Sequence, residues 1–521
     1  MSRAIVIGSG VAGSFMAHKL LDLGVSEVVM LEAGREIPMG DPAWWFRFVA
    51  TGRTPYQDDY DTTEDFTSTG YTSKLEGPWA IVGSRIMGRG GTTLHWGGWT
   101  PRFRPEDFRM FTNTGLGIDW PYDYATLEPF YLQAESWLGV CGDSKEEDPW
   151  RSGPYPFEAG PFPLNASPFI EAFENLDYNY GHLPVARYGL SENGSSCRTT
   201  GTCDYCPVAG RFTGDLPLKP LHERQGFTLR LGSPVSRLRM DGRSRVAGVS
   251  GTDLSSGKPF DLDADAVFLC GGAFETPKLL LASACNEWPN GVGNDNDLVG
   301  RYLVANAFFF TNGIRANPKR MTQELGFPSL VSRQFDTEKE QATAKLFMTM
   351  NYSKPYIDLG AGMAKGQDRA ALDASLVAPT SFQLYGNVSP LPQRDNRIGL
   401  AKGTTRFGLP RTNIDTPAPG YNEDAARKWM GVMEGVLNKM DCENVKSGTY
   451  PQRGDHASCT TRMAMNENEG VVDPMHRVFG VKNLCILSNS ILPTLPAANP
   501  TLTLVAMGCK LVKEQGAKLV P

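Results

Sequence analysis

Residues 4–13 read AIVIGSGVAG and decide the fold, because an apolar strand-like run leads directly into a glycine-rich turn. Gly8, Gly10 and Gly13 follow the G-x-G-x-x-G spacing, and residues 14–23 continue with apolar side chains at helical intervals. The first glycine permits a tight turn, the second lets a pyrophosphate approach the backbone, and the third lets helix and strand pack closely. Amide groups at the helix N-terminus then bind the phosphates. This stretch therefore predicts a dinucleotide-binding unit.

A second strand is predicted at residues 27–31, and it leads into Glu32, which is placed to accept hydrogen bonds from a ribose diol. Further elements are predicted much later, where short apolar runs are typical of buried strands. They are a strand at 266–270, a helix from about Thr276, a strand at 483–487 and a final helix from near Asn499. One parallel sheet is thus expected to take strands from the beginning, the middle and the end of the chain.

The segments between these strands are richer in Pro, Tyr, Phe and Gln, which is typical of inserted material that meets substrates. We predict a discontinuous nucleotide-binding domain formed by residues 1–150, 220–305 and 451–521. Residues 151–219 are expected to form an inserted segment that contains a cysteine cluster. Residues 306–450 are expected to form a separate substrate-binding domain.

Composition excludes several classes of protein. The chain has 521 residues and a formal net charge of −6, and it contains no basic block that could bind the phosphates of a nucleic acid. We therefore expect no nucleic-acid partner. No run of about 18 apolar residues is present, so we predict no transmembrane segment. The first strand begins so near the initial Met that we expect no export signal on this chain.

The glycine-rich motif alone does not separate FAD from NAD, and the distinction comes from residues 83–96, GSRIMGRGGTTLHW. Together with Trp120-Pro121, ETPKLLL at 275–281 and NRI at 396–398, this segment resembles the glucose–methanol–choline (GMC) oxidoreductases. The resemblance covers nearly the whole chain. It implies an α/β fold: a Rossmann-like FAD-binding domain with an inserted α+β substrate domain on an antiparallel sheet.

The resemblance also implies which residues contact FAD. At Asn489 the family often has Asp, and this difference weakens the expected flavin contact there without affecting the fold. The expected cofactor-binding residues are Gly8, Gly10, Gly13, Glu32, Arg89, Gly91, Thr92, His95, Trp96, Val235, Asn489, Pro500 and Thr501.

The C-terminal part carries the most specific match, with GDH at 454–456 and ANPT at 498–501. In the family these positions bring a His and a second His or Asn together in front of the flavin. Alcohol oxidation removes a hydroxyl proton, and a neutral imidazole within hydrogen-bond reach is the natural base. We therefore predict His456 as the catalytic base and Asn499 as the residue that orients the hydroxyl. The alternative for each is a purely structural side chain.

His95 lies in a stretch, His95-Trp96 followed by TPRF at 100–103, that resembles the pyranose oxidases. In those enzymes the corresponding His is joined covalently to the flavin. The resemblance implies the same link here, although the neighbouring loop, Arg89-Gly90-Gly91, differs from the pyranose-oxidase sequence. The alternative is a His95 side chain that only packs beside the dimethylbenzene edge of the flavin.

Three of the ten cysteines are close together: Cys197, Cys203 and Cys206. Iron–sulfur clusters need several thiolates on a glycine-containing loop, and a Pro often follows the last Cys, as Pro207 does here. The segment resembles the iron–sulfur loop of FAD-dependent sugar dehydrogenases, with the final spacing one residue shorter. We predict that the three thiolates ligate a [3Fe-4S] cluster. The alternatives are a zinc knuckle without its fourth ligand, a disulfide, or three thiols.

The resemblance implies an FAD-dependent dehydrogenase that oxidises a secondary hydroxyl of a glucoside or pyranose, at C3, to the keto sugar. Among the family it looks closest to the glucoside 3-dehydrogenases, with pyranose oxidases next.

The chain contains no C-x-x-C-H motif, so a c-type cytochrome acceptor would be another chain. We expect a small partner subunit that carries an export signal and takes the enzyme to the periplasm; the alternative is a cytoplasmic protein. An oxidase that forms hydrogen peroxide is the first alternative function, and a non-catalytic flavin-binding subunit, in which the His456–Asn499 pair would be lost, is the second.

Overall fold

The structure is a computed structural model that describes residues 2–70, 78–146, 150–187, 197, 200–315, 329–337, 344–352, 355–376, 380–418 and 423–519. In this part of the chain the strands are β1 (Arg3–Ile7), β2 (Glu27–Leu31), β3 (Phe66–Thr69), β4 (Val140–Gly142), β5 (Phe157–Glu158), β6 (Gly181–His182), β7 (Val185–Ala186), β8 (Phe227–Arg230), β9 (Val235–Met240), β10 (Val246–Asp253), β11 (Lys258–Asp263), β12 (Ala266–Leu269), β13 (Ala307–Arg315), β14 (Leu330–Phe335), β15 (Leu346–Tyr352), β16 (Thr380–Val388), β17 (Arg397–Thr404), β18 (Pro410–Asp415), β19 (Glu443–Thr449) and β20 (Leu484–Ile486). The helices are α1 (Val11–Asp22), α2 (Pro42–Thr51), α3 (Met110–Thr114), α4 (Tyr124–Leu138), α5 (Ser167–Asn175), α6 (Leu218–Leu221), α7 (Gly272–Ala282), α8 (Pro355–Ala364), α9 (Arg369–Leu376), α10 (Glu423–Lys439) and α11 (Thr501–Leu519).

A five-stranded parallel sheet, in the order β20-β12-β1-β2-β8, forms the centre of the molecule. Its strands are short apolar runs because both faces are covered by helices and loops, and the middle of β1 is fully buried. The predicted βαβ unit is present as β1, α1 and β2. This sheet confirms the predicted α/β class, and its strands come from three distant parts of the chain.

Two helices begin at residues other than those expected from the sequence. Helix α7 begins at Gly272, earlier than the expected Thr276, because Gly272 takes a backbone φ of 71° that turns the chain out of β12. Helix α11 begins at Thr501, after Pro500, which leaves Asn499 in the preceding loop. Strand β8, which forms one edge of the parallel sheet, was not predicted from the sequence.

A six-stranded sheet, in the order β19-β13-β16-β15-β14-β6, forms the second layer, and each of its strand pairs is antiparallel. One face packs against α10 and α5, where Trp429 and Phe169 are among the fully buried side chains. Side chains alternate along a strand, so the opposite face carries Phe308 and Tyr385 toward the nucleotide-binding layer. The six-stranded sheet therefore lies over the layer that contains the parallel sheet.

Two strand pairings cross the ranges predicted for the domains. Strand β6, from the range 151–219, pairs with β14 and forms an edge of the six-stranded sheet. Strand β3, from the first 150 residues, pairs in parallel with β18. Exposed sheet edges need partners, and neighbouring segments supply them here. The described part of the chain contains no helix that is long and apolar enough to cross a membrane.

Candidate active site

A cavity of about 560 Å³ joins the two layers. At one end its wall follows the loops after β1 and β2, with Gly8, Gly10 and Glu32, and at the other end it reaches His456 and Asn499. The carboxyl ends of parallel strands meet at one edge of a sheet, and a crevice for ligands forms at that edge. The predicted nucleotide end and the predicted catalytic end are therefore parts of one site.

Close backbone contacts explain the glycines of the fingerprint. A Cβ on Gly13 would lie 1.9 Å from the carbonyl oxygen of Gly8, so only glycine allows this approach of α1 to β1. Gly8 itself has a backbone φ of 102°, which side chains other than glycine rarely adopt. Gly13 thus lies behind the cavity wall and acts through packing, as the motif predicts.

Glu32 is held in place by the turn that it faces. Its Oε2 atom accepts hydrogen bonds from the Ser9 backbone N–H (2.9 Å) and hydroxyl (2.7 Å), and its Oε1 accepts one from the Gly34 N–H (2.9 Å). Burial raises the pKa of Glu32, and the hydrogen bonds from Gly34 and Ser9 oppose that effect. Oε1, which accepts one of these three hydrogen bonds, retains a second lone pair for a ligand hydroxyl.

Most of the predicted cofactor-binding residues line the cavity, and three do not, of which Gly13 lies behind the wall. Arg89 forms an ion pair with Glu36 at 2.8 Å and is not part of the wall, and Pro500 also lies outside it. Those on the wall are Gly8, Gly10, Glu32, Gly91, Thr92, His95, Trp96, Val235, Asn489 and Thr501.

His456 and Asn499, which are 43 positions apart in the chain, are in direct contact. The Nδ2 atom of Asn499 lies 3.0 Å from His456 Nε2, and Nδ1 of the same ring lies 2.7 Å from Oδ1 of Asn306. Burial lowers the pKa of His456 to about 4, against the opposing charge of Asp455. The imidazole is therefore neutral at physiological pH and able to accept a proton.

Asp455, the residue before His456, is charged where His456 is neutral. Burial alone would raise the pKa of Asp455, but hydrogen bonds from His95 and Arg453 and the guanidinium charge lower it to about 2. His95 Nε2 lies 3.3 Å from Asp455 Oδ1, and its ring contacts Tyr60 at a centroid distance of 5.4 Å. A permanent negative charge thus lies beside Nε2 of His95.

Aromatic rings and one amide form the wall beside His456. The ring of Phe308 lies 5.3 Å from that of His456 and 5.6 Å from that of Tyr385. Tyr450 lies 5.7 Å from Tyr385, and Gln383 donates to Asn312 at 2.8 Å. Phe308 and Tyr450 were not predicted from the sequence. For Phe308 the signal in the sequence was the alternation along β13, which puts this side chain on the cavity side.

The cysteine segment packs against the loop that carries His95. The Tyr56 hydroxyl donates to the carbonyl of Asp204 at 2.6 Å, and the Tyr56 ring lies 6.4 Å from that of His95. Arg211 donates to the Leu94 carbonyl at 2.9 Å. The segment between Cys203 and Gly214 is therefore one aromatic layer away from the wall of the cavity.

The three cysteines themselves are half-buried, and no disulfide joins any cysteine in the described part of the chain. Cys197 is near Cys141; burial raises the pKa of Cys141 to about 11, and Cys197 acts in the same direction. Among the described residues, only Asp143, Glu146 and His182 bring three metal-ligating atoms within 4.8 Å of one another. The three cysteines do not form a single-ion site in this arrangement. A cluster of several irons holds its thiolates farther apart than one ion does, so this spacing does not test the predicted cluster.

Buried polar atoms without partners on the wall indicate where a bound group fits. His95 Nδ1, Asn489 Oδ1 and Asn499 Oδ1 are buried without a hydrogen-bond partner in the protein. Buried polar groups are normally satisfied, so these atoms fit a polar ligand within the cavity. With the glycine-lined nucleotide end, the residues present fit FAD, which extends from a ribose and a pyrophosphate to a flavin.

Comparison with known proteins agrees with this geometry. Residues 392–508 match the family described as GMC oxidoreductase. The chain is 26% identical to the fructose dehydrogenase large subunit of Gluconobacter japonicus over 97% of this chain and 96% of that protein. It is 27% identical to paromamine 6'-oxidase of Streptomyces fradiae, over 99% of this chain and 91% of that protein.

Solved structures share the fold. Pyridoxine 4-oxidase from Mesorbium loti superimposes with a TM-score of 0.69 at 18% identity, over 99% of both chains. Formate oxidase of Aspergillus oryzae gives a TM-score of 0.68 at 16% identity, over 99% of this chain and 98% of that one. The chain thus carries a GMC oxidoreductase C-terminal domain, is similar over nearly its whole length to such oxidoreductases, and is an FAD-binding enzyme that acts on CH–OH groups.

Proposed function

We propose that this enzyme is a sugar dehydrogenase that oxidises a secondary hydroxyl of a glucoside or pyranose, at C3, to the keto sugar. The contact between His456 and Asn499 carries the proposal, because it places a neutral base and an amide at the end of the cavity. A non-catalytic flavin-binding subunit would have no need for this pair. The C3 position rests on the resemblance to the glucoside 3-dehydrogenases.

The reaction requires a base and an electron acceptor at the same place. FAD, when bound, accepts the two electrons and the hydrogen that leave the alcohol carbon. His456 Nε2 takes the hydroxyl proton, and Asn499 holds the hydroxyl oxygen through its amide. The depressed pKa of His456 keeps the base ready without a prior deprotonation step.

The wall beside His456 suits a pyranose. Sugar rings present apolar C–H faces and hydroxyl edges, and the cluster of Phe308, Tyr385 and Tyr450 offers aromatic faces. Burial raises the pKa of Tyr385, so its phenol stays protonated and able to donate a hydrogen bond. Gln383 adds an amide at the same end. The names of two relatives, a fructose dehydrogenase and a paromamine oxidase, support sugar-like substrates.

His95 is proposed as the covalent attachment point of FAD. It lines the cavity, and its Nδ1 atom is buried without a protein partner, while Nε2 faces the charged Asp455. The carboxylate favours the tautomer that carries its proton on Nε2, which leaves a lone pair on Nδ1. This arrangement supports Nδ1 as the nucleophilic nitrogen.

Cys197, Cys203 and Cys206 are proposed to ligate a [3Fe-4S] cluster that takes electrons from the flavin singly. The loop lies one tyrosine away from His95, which is close enough to make it a relay at the edge of the cofactor site. The Gly210 N–H already donates to Cys206 Sγ at 3.2 Å, and hydrogen bonds of this kind stabilise thiolates in cluster loops.

An external acceptor and a partner subunit complete the proposal. A c-type cytochrome on another chain would accept the electrons, and a small subunit with an export signal would carry the folded enzyme to the periplasm. The fructose dehydrogenase relative is named as a large subunit, which supports a partnered enzyme. Relatives named as oxidases favour the alternative, in which reduced flavin meets oxygen and forms hydrogen peroxide.

Replacing His456 with Ala should leave FAD bound and slow flavin reduction by a glucoside about 10²- to 10⁴-fold, because the base is lost. In the unmodified enzyme the rate should stay level above about pH 5 and fall only as the pH drops through about 4, where His456 becomes protonated. Stopped-flow reduction across this pH range measures both effects. His222→Ala, at an exposed histidine, is the matched control, and normal reduction by the His456 variant would remove this residue from the mechanism.

Denaturation in acid should leave the flavin attached to the polypeptide, because the proposed bond at His95 is covalent. His95→Ala should release all of its flavin into the supernatant under the same conditions, and His222→Ala should retain it. Absorbance of pellet and supernatant gives the result. Complete release from the unmodified protein would show that His95 only packs beside the flavin.

Protein purified without oxygen should contain about three irons per flavin, as a [3Fe-4S] cluster requires. Cys203→Ser should lose iron and dye-linked dehydrogenase activity, whereas Cys442→Ser, at a half-buried cysteine outside the loop, should keep both. Iron analysis and dye reduction are the two measurements. An iron-free protein whose Cys203 variant keeps its dye-linked activity would refute the cluster, and peroxide formation would then favour the oxidase.

A further inference from the structure

Asn306 is a buried polar residue in an otherwise apolar run, directly before β13. Its side chain is completely inaccessible to solvent. The Nδ2 atom donates to the carbonyl oxygen of Pro496 at 2.8 Å and to that of Val388 at 3.2 Å. Pro496 belongs to the loop that leads to Asn499, and Val388 ends β16, so this one amide ties both layers together beside the catalytic pair.

These two contacts fix the orientation of the amide. Carbonyl oxygens only accept hydrogen bonds, so the atom that faces them must be the NH₂ group of Asn306. Its Oδ1 atom therefore faces His456 Nδ1, at 2.7 Å. An amide oxygen accepts but never donates, and the histidine must supply the proton from Nδ1.

The protonation state of the other ring nitrogen, Nε2, is then determined as well. A neutral imidazole with its proton on Nδ1 has a lone pair on Nε2. Nε2 lies 3.0 Å from Asn499 Nδ2, which donates to that lone pair. In the opposite tautomer the lone pair on Nδ1 would face Oδ1 of Asn306, and the N–H on Nε2 would face the NH₂ group of Asn499. Flipping Asn306 to satisfy Nδ1 would leave the carbonyls of Pro496 and Val388 unpaired, so this tautomer is disfavoured at both ring nitrogens.

We infer that Asn306 is a positioning residue that locks His456 in the tautomer with its proton on Nδ1, so that Nε2 is always the basic nitrogen toward the substrate. The inference rests on the proposed role of His456 as the base. Without the lock, the proton would be shared between the two nitrogens, and the tautomer with Nε2–H cannot accept the substrate proton. A histidine in the wrong tautomer therefore lowers the catalytic rate in the same way as the loss of the base.

The tautomer is measured directly in holoenzyme labelled with ¹⁵N-histidine. The chain has only six histidines, and the signal absent from His456→Ala identifies the residue. We expect an N–H type shift for Nδ1 and an unprotonated shift for Nε2 in the unmodified protein, and a mixture of tautomers in Asn306→Ala. A His456 signal with the proton on Nε2 would overturn the inference, whatever the substrate proves to be.

Kinetics supply the second readout. Asn306→Ala should lower the rate of flavin reduction about 10²-fold, with a much smaller change in KM. Asn306→Asp keeps an oxygen beside Nδ1 of His456, so the rate of flavin reduction should recover in part. Its carboxylate should also stabilise the imidazolium of His456. The fall of the rate at low pH, which we call the acid limb of the pH profile, should therefore move to higher pH. The charged groups Asp455 and Arg453, and the phenols of Tyr385 and Tyr450, remain the same in all variants and leave the comparison intact.

Asn165→Ala is the control, because it removes another buried asparagine that does not line the cavity. In this variant the tautomer of His456, the rate of flavin reduction and the acid limb of the pH profile should equal those of the unmodified enzyme. If the Asn306 variants fold, bind FAD and keep both the unmodified tautomer and the unmodified acid limb, Asn306 has only a structural role. Failure of sugars to reduce even the unmodified enzyme would count against the proposed function, while the tautomer measurement would still decide the inference.

Discussion

Three loops meet backbone to backbone at glycines, and the cofactor site depends on that contact. A Cβ on Gly91 would lie 3.0 Å from the Cα of Gly10, and one on Gly214 would lie 2.6 Å from the carbonyl oxygen of Gly90. Gly90 and Gly91 also have positive φ angles of 96° and 61°. Side chains at these positions would separate the dinucleotide loop, the His95 loop and the end of the cysteine segment. The close approach of these three glycine loops therefore brings together the cofactor site, the proposed attachment residue His95 and the proposed relay.

At the other end of the cavity, adjacent residues are held in opposite states. Asp455 stays charged because Arg453 and His95 stabilise its carboxylate, and His456 stays neutral because burial disfavours its imidazolium. Environments that push neighbouring pKa values apart are the usual way in which a site separates its roles. In the proposed mechanism the carboxylate of Asp455 faces His95 on the flavin side, and the neutral imidazole of His456 accepts the substrate proton. Two adjacent residues would then serve the two sides of the reaction.

The sequence predicted those parts of the fold and the site that have a recognisable local pattern of residues. The β1–α1–β2 unit, the buried strands near 266 and 484 and the pair of His456 and Asn499 follow from spacing or from resemblance. Strand β8, with its half-exposed residues, has no such pattern, and the pairing of β3 with β18 joins segments over 340 positions apart. Asn306 was missed because its role depends on partners from β16 and from the loop before Asn499. Only the folded chain shows that this amide has a single orientation.

The central claim is that a sugar delivers its electrons to the flavin at the His456 end of the cavity. Anaerobic titration of the purified holoenzyme with a methyl glucoside, followed through the flavin absorbance, tests it most directly. We predict that the flavin band bleaches in proportion to the sugar added and that a keto sugar forms in equal amount. A band that glucose and glucosides leave unchanged, but that dithionite bleaches, would contradict this account.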